Sequence, residues 1–391
     1  MSEAPPSDEQ HLRNALDLAK AGIGLVSPNP AVGAVLVDAK GSEVGSGTHT
    51  YAGIKHAEVL ALEQAGEAAK GATLYVNLEP CSHHGRTAPC ADAVIAAGIS
   101  RVVCSMEDPN PKVAGRGFAK LWEASIQVDV GLFEAEAKKL NESFAKYIRS
   151  GKPLVTLKSA MSLDGKIAPR KPQSESRPAP HWITGDEARA HLHQLRHQND
   201  AILVGVGTVI ADDPLLTDRS ALPRRRKLLR VILDSHLRIP LKSQLIRTAE
   251  NDVLVICTTT DERAKSAVEA SGIRVHQLPS TDQSTNRGRP DFPSIIQYLG
   301  KMEITSVLIE GGSSINAAAL NSGEVDKLFL YYAPTILGEG SVPFISDQDS
   351  PWQPRCLAQM DFHRFGEDFA VDGYLRDPYS NERVPALSKE L

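Results

Sequence analysis

His56-Ala57-Glu58, Pro80-Cys81 and Pro89-Cys90 lie within 35 residues of one another, and together they carry the parts of a hydrolytic zinc centre. One imidazole and two thiolates are three zinc ligands, and three protein ligands leave a fourth position for water. Zinc there lowers the pKa of that water from about 15.7 towards roughly 7. Glu58, two residues beyond the first ligand, is placed to shuttle its proton, which is the arrangement of hydrolytic deamination. A structural zinc would need a fourth strong ligand. Cys104 is the nearest spare thiol, and its place at the end of an apolar strand suits core packing better.

Such ligands need rigid supports. Val59, Leu60 and Leu62 recur at near-helical spacing, so His56 and Glu58 fall in the first turn of a helix. Residues 73–78, Thr-Leu-Tyr-Val-Asn-Leu, read as a buried strand that delivers Cys81, and residues 91–97 as a helix beginning at Cys90 and ended by Gly98. Thiols near helix N-termini are favoured as thiolate, the form that binds metal. Upstream, residues 8–20 form a first helix. Pro28-Asn29-Pro30 cannot be helical and holds Asn29 in a turn before the strand at 31–37. Asn29 is therefore either a plain turn residue or an amide that reads a pyrimidine ring.

Eight residues separate the two cysteines, where nucleic-acid and nucleoside deaminases of the zinc class commonly have two. The extra loop brings His83, His84, Arg86 and Thr87 beside the metal; His84 and Arg86 in particular suit an anionic, hydroxyl-rich small molecule. A second polar loop, residues 108–117, follows a strand and is expected to face the substrate. A helix over 134–146 closes the first domain.

The chain has 391 residues, too many for one hydrophobic core, so two domains are expected at 1–147 and 154–380. Hydrophobic content of 41%, charge of 23% and a net charge of −5 exert no general pull on nucleic acid or anionic membrane. Five cysteines, two of them assigned to metal, favour a reducing compartment. The N-terminus is polar, and no run of about 18 apolar residues occurs, so a cytoplasmic protein is expected.

The second half changes architecture. Residues 154–160 are a strand, Asp164-Gly165 a tight turn, and 171–180 a polar, proline-rich stretch suited to a surface loop or a lid. Thr184 is expected to cap a helix to about His197, with Glu187 completing a capping box. Strands follow at 201–205, 228–234, 253–257, 273–277 and 306–309. The last leads into Glu310-Gly311-Gly312-Ser313-Ser314, where glycines let backbone N–H groups approach a phosphate at a helix start. Neither GxGxxG nor GxxxxGK[ST] is present.

The segments NPAVGAVLV, HAEVLAL, LEPCSHHGRTAPC and DPNPKVAGRG, then SLDGKIA, WITG, GVGTVIADDPLLTDR and IEGGSSINAAAL, resemble the bifunctional riboflavin-biosynthesis deaminase/reductase family. The resemblance implies a cytidine-deaminase-like α/β/α domain followed by a dihydrofolate-reductase-like α/β domain. It implies deamination of 2,5-diamino-6-(5-phosphoribosylamino)pyrimidin-4(3H)-one, then reduction of the ribosyl group with NADPH to 5-amino-6-(5-phosphoribitylamino)uracil. It places zinc on His56, Cys81 and Cys90, with Glu58 as proton shuttle. Ala160, Trp182, Thr208, Asp212, Ser235, Gly312, Ser313 and Ser314 become NADPH contacts; Arg196, Leu216, Arg219 and Glu310 become substrate contacts, and Lys158 lies near the reacting sugar. The implied partner is a small phosphorylated pyrimidine, with a homodimer formed through the second domain. Two other readings are a nucleoside or tRNA deaminase with a binding module attached, and a zinc-stabilised binding protein without turnover.

Overall fold

A computed structural model describes residues 7–83, 88–170, 182–280, 288–346 and 354–380. The chain forms two compact units, Met1–Ser150 with Pro223–Arg226, and Gly151–Leu222 with Lys227–Leu391.

In the first unit α1 (Asp8–Ala21) precedes β1 (Gly33–Val37), β2 (Glu43–Thr48), α2 (Ala57–Ala65), β3 (Thr73–Val76), α3 (Cys90–Ala96), β4 (Arg101–Cys104), α4 (Arg116–Glu123), β5 (Gln127–Val130), α5 (Glu134–Leu140) and α6 (Glu142–Ser150). The sheet order is β2-β1-β3-β4-β5, with β1 antiparallel to both neighbours and β3, β4 and β5 parallel. Val35, Val37, Tyr75 and Val103 pack with Leu12 and Ala15 of α1, so strand alternation turns Ala34 and Leu36 to the other face. The helices sit unusually close to the sheet. A Cβ on Gly33 would lie 2.1 Å from the Ala15 carbonyl oxygen, and one on Gly47 would lie 2.2 Å from that of Ala57.

The helix expected over 134–146 is two helices, broken at Asn141. Asn141 is buried, its Oδ1 accepts from the Ala31 N–H at 2.8 Å, and its Nδ2 donates to the Ala31 carbonyl at 3.1 Å. Its side chain is thus given to the segment before β1, and the chain turns there with φ of −108°. The Thr73 strand ends at Val76, because Asn77 is likewise diverted: it accepts from Gly33 N–H at 2.9 Å and donates to the Ala31 carbonyl at 2.9 Å.

The second unit runs β6 (Leu154–Ser162), β7 (Lys166–Ala168), α7 (Asp186–Gln198), β8 (Ala201–Gly205), α8 (Val206–Asp212), β9 (Leu229–Leu233), α9 (Gln244–Arg247), β10 (Val253–Cys257), α10 (Glu262–Glu269), β11 (Arg274–Gln277), α11 (Phe292–Lys301), β12 (Ser306–Ile309), α12 (Ser313–Ser322), β13 (Lys327–Ala333), β14 (Val342–Pro343), β15 (Ala358–Phe365) and β16 (Asp368–Tyr374). Nine strands form one sheet in the order β11-β10-β9-β8-β12-β6-β13-β16-β15, parallel as far as β13 and closed by the antiparallel β16 and β15; β7 and β14 pair separately. Both faces are covered, and alternation sorts the core. Leu203, Val231, Leu254 and Val307 face α11, whereas Ile202, Val204, Ile232 and Val255 lie with Leu245 of α9 and Val268 of α10.

One local expectation fails here. Thr184 does not cap α7: Gly185 is the N-cap residue, and its N–H is taken by Asp368 Oδ2 at 2.7 Å. β8 runs directly into a short helix, α8, with Gly205 as its N-cap residue. The proline-rich stretch 171–180 lies outside the described residues. Among the described residues no helix is long and apolar enough to cross a membrane.

Gly33→Ala should force α1 off the sheet. The expected outcome is about 1–3 kcal/mol of destabilisation, seen as zinc release and loss of helical signal at lower temperature than in the parent protein.

Candidate active sites

Three donor atoms converge in the first unit. Those of His56, Cys81 and Cys90 all lie within 4.8 Å of one another. His56 is the N-cap residue of α2, with its side chain unused for capping, and Cys90 is the first residue of α3. Cys81 follows the end of β3, with Cys90 N–H 3.3 Å from its sulfur. Hydrogen bonding from Cys90 drops the Cys81 thiol to about 4, opposing the effect of burial, and its contact with Cys81 raises the His56 imidazole. The lowered Cys81 thiol favours the thiolate, the form that binds metal. Cys104, buried and 3.4 Å from the Met106 carbonyl, is not in the cluster.

Glu58 lies in the first turn of α2 and is 3% exposed. Burial pushes its carboxyl up to about 7, and Oε2 is buried without a hydrogen-bond partner among the described residues. An orphaned carboxylate oxygen beside two thiols and an imidazole is a costly arrangement by itself. It fits a site built for zinc, whose soft and borderline ligands these are.

Asn29 reaches the same neighbourhood through a residue that sequence reasoning passed over. Its Nδ2 is 3.0 Å from His49 Nε2, while His49 Nδ1 is 2.9 Å from the Lys55 carbonyl. Donation from Nδ1 to that carbonyl leaves Nε2 to accept from the Asn29 amide, so the amide's orientation is set. The His49 ring stands edge-on to His56 with centroids 5.3 Å apart. His84 and Arg86 lie outside the described residues.

Glu79 is the second residue that the sequence did not single out. It is 2% exposed, and its two oxygens accept four backbone N–H groups: Asp108 at 3.0 Å, Gly115 at 2.9 Å, Gly117 at 2.7 Å and Phe118 at 3.3 Å. The loop expected to face the substrate is thereby tied to the residue two positions before a zinc ligand. Gly117 is required by the closeness of the approach, since a Cβ there would meet the Pro80 carbonyl oxygen at 2.0 Å. Within the loop, burial pushes Asp108 up to about 7.

In the second unit the expected substrate residues meet in one buried ion pair. Arg196 donates from Nε to Glu310 Oε1 at 2.7 Å and from Nη2 to Oε2 at 2.9 Å, and from Nη1 to the Thr217 carbonyl at 2.9 Å. Burial works against the Glu310 charge, but Arg196 and then Lys158 outweigh it, and the carboxyl falls below its usual range. Burial also lowers the Lys158 ammonium. Leu216, buried with φ of 54°, and Arg219 flank the Thr217 carbonyl held by Arg196. Fully buried Arg230 donates to the Leu215 carbonyl at 3.0 Å, and His197 meets Asp218 at 3.1 Å, so this loop is fixed at three points.

The expected cofactor residues line neighbouring strand ends. Thr208 and Asp212 lie on α8 after β8, Ser235 follows β9, Gly312 to Ser314 begin α12 after β12, and Ala160 is on β6. Carboxyl ends of adjacent parallel strands are where α/β sheets take ligands. Trp182 stands exposed ahead of α7, its ring 5.2 Å from the Arg189 guanidinium, and is not in this row.

Glu79→Gln would turn an amide N–H₂ towards backbone donors. Deamination should fall by roughly 10–100-fold with zinc retained, read as ammonia release alongside metal content.

The model for the cytidine and deoxycytidylate deaminase zinc-binding region matches residues 5–106, and that for the RibD C-terminal domain matches residues 153–371. The riboflavin biosynthesis protein RibD of Aquifex aeolicus is 44% identical over 333 residues, 85% of this chain and 88% of that one. The Escherichia coli RibD is 42% identical, covering 85% and 89%. The solved structure of Acinetobacter baumannii RibD aligns over 94% of this chain and 98% of its own, with a TM-score of 0.78 and 36% identity. A Thermotoga maritima structure, described as a diaminohydroxyphosphoribosylaminopyrimidine deaminase/5-amino-6-(5-phosphoribosylamino)uracil reductase, aligns over 94% and 98% with a TM-score of 0.76 and 35% identity. With a deaminase zinc region and a reductase domain in the same order as these relatives, the chain belongs to the RibD family of bifunctional riboflavin-biosynthesis deaminase/reductases.

Proposed function

We propose that residues 1–147 deaminate 2,5-diamino-6-(5-phosphoribosylamino)pyrimidin-4(3H)-one, and that residues 154–380 then reduce its ribosyl group to give 5-amino-6-(5-phosphoribitylamino)uracil. The observation that carries this is the pairing of a His56-Cys81-Cys90 cluster and an orphaned Glu58 oxygen in one unit with the buried Arg196–Glu310 pair in the other.

In deamination His56, Cys81 and Cys90 hold zinc, which when bound supplies a water acidified towards neutral pH. Glu58 accepts a proton at Oε2 and returns it to the amino group leaving the ring carbon; the C–N bond breaks, a C–O bond forms, and ammonia departs. Asn29, oriented by His49, reads the pyrimidine edge, and His84 and Arg86 meet the sugar phosphate.

In reduction the cofactor residues Ala160, Trp182, Thr208, Asp212, Ser235 and Gly312 to Ser314 hold NADPH, which when bound supplies the hydride. The Arg196–Glu310 pair, with Leu216 and Arg219, positions the deaminated substrate. Its C1–O ring bond breaks as C1 is reduced, and the proton needed by the released oxygen comes from Lys158. A proton donor with a lowered pKa is better matched to this transfer at neutral pH than an ordinary lysine.

The protein acts as a homodimer through its second unit, supported by an exposed apolar row on β15 and β16 in which Phe362 is 72%, Met360 51% and Phe369 39% exposed. A cytoplasmic setting completes this reading, supported by thiol ligands that bind metal only when reduced.

Glu58→Gln tests the first step. Ammonia release should fall by about 10²–10⁴-fold with zinc retained, while reduction of substrate already deaminated continues; full ammonia release would refute the assignment. Phe362→Glu should convert the dimer to a monomer in sedimentation, and an unchanged sedimentation coefficient would sink the proposed interface.

A further inference from the structure

We propose that Tyr331 is a positioning residue for the reductase step: its ring face carries the Lys158 ammonium, and its hydroxyl is anchored by His191. This rests on the reading of Lys158 as proton donor and names what keeps that donor charged and in place.

The geometry starts from strand register. β13 runs parallel to β6 with Phe329 opposite Lys158 and Tyr331 opposite Ala160. Lys158 and Ala160 are two apart and share a face, so Tyr331 lies diagonally across from Lys158 on that face. Lys158 Nζ is 5.5 Å from the centroid of the Tyr331 ring, within the range of a cation–π contact. The ring cannot swing away. Tyr331 is 1% exposed, and its hydroxyl lies 2.7 Å from His191 Nδ1. His191 is on α7, the helix that also carries Arg196, and its ring stacks on Phe365 at 4.6 Å.

The charges around this group explain why a ring is useful there. Glu310, beyond β12, favours the ammonium, whereas Arg196 from α7 and burial both oppose it. Around the tyrosine stand Glu310 and Asp372, and around His191 stand His363 and Asp372. Asp372 is itself taken, by His363 Nε2 at 2.5 Å and Lys327 Nζ at 3.4 Å. The Glu310 carboxylate is likewise engaged by the Arg196 fork. A π face gives the ammonium a favourable neighbour without a second full negative charge. It also leaves the N–H donors able to turn towards a sugar oxygen, which a salt bridge would hold back.

The test uses the full-length protein, the deaminated ribosylamino substrate and NADPH, with kcat and KM for reduction followed from neutral to alkaline pH. A donor must be protonated, so kcat falls as pH rises through the Lys158 pKa. Tyr331→Leu removes the π face and should move that alkaline limb down by roughly half a unit to one unit, changing kcat more than KM. Tyr331→Phe keeps the ring and should leave the limb close to its original position. Should the leucine variant not fold, a ring-fluorinated phenylalanine at 331 keeps the shape but weakens the π face, and its limb should lie below that of Tyr331→Phe. A purely structural tyrosine would change stability without moving the limb. Lys158→Gln separates the two readings. If it abolishes reduction while the limb is the same in every ring variant, the role of Tyr331 is overturned. If it leaves both rate and limb unchanged, Lys158 is not the donor, and the inference falls with it.

Discussion

A carboxylate placed beyond the end of a parallel strand and out of water must have its lone pairs satisfied, and both units are arranged around one that is. In the first unit Glu79, three residues past β3, takes four backbone N–H groups from a loop 29 to 39 residues further along the chain. In the second, Glu310, directly after β12, takes both prongs of the Arg196 guanidinium. Leaving such a charge unpaired in the interior would cost several kcal/mol. Each carboxylate therefore fixes a loop in one position: residues 108–118 around Glu79, and, through Arg196, the carbonyl of Thr217. Neither group needs to touch a reacting atom to set where the reacting atoms go.

The two units solve different electrostatic problems with related means. In the first, the donors stand close together, which lowers the Cys81 thiol and favours the thiolate, and a buried Glu58 has one oxygen unpartnered among the described residues. Preorganisation of this kind is what lets a metal centre act without rearranging its ligands. In the second, a lysine, an arginine and a glutamate share one buried space, and the arginine–glutamate fork neutralises itself. The lysine is left as the adjustable charge.

How much of this was legible beforehand depended on the range of the interactions. His56, Glu58, Cys81 and Cys90 could be read directly, because ligand type, helix phase and Pro-Cys steps are all local signals. Strands β8, β9, β10 and β12 were legible as buried, largely apolar runs for the same reason. Glu79 was hidden because its partners are backbone N–H groups of a distant loop, which no side-chain pattern records. His49 looked like one more polar residue in an approach loop; only the fold puts Asn29 against one nitrogen and the Lys55 carbonyl against the other. Residues 327–333 were not identified as a strand, although they lie beside β6, and so Tyr331 went unnoticed. The break at Asn141 and the absence of a Thr184 cap have one cause: a side chain or backbone group with a strong local option took a tertiary partner instead.

The bonds between Asn141 and Ala31 span 110 residues of sequence. Ala31 is two positions from Asn29, so the turn that carries the Asn29 amide is pinned in part by a residue near the far end of the first unit. Closing a loop of that length is an entropic cost met late in folding. On a ribosome the N-terminal strand, helix α2 and both cysteine steps emerge well before Asn141 does. Asn77, which emerges ahead of both cysteine steps, holds the same Ala31 carbonyl, so the turn is caught early and is locked from both sides only when Asn141 arrives near the end of the unit.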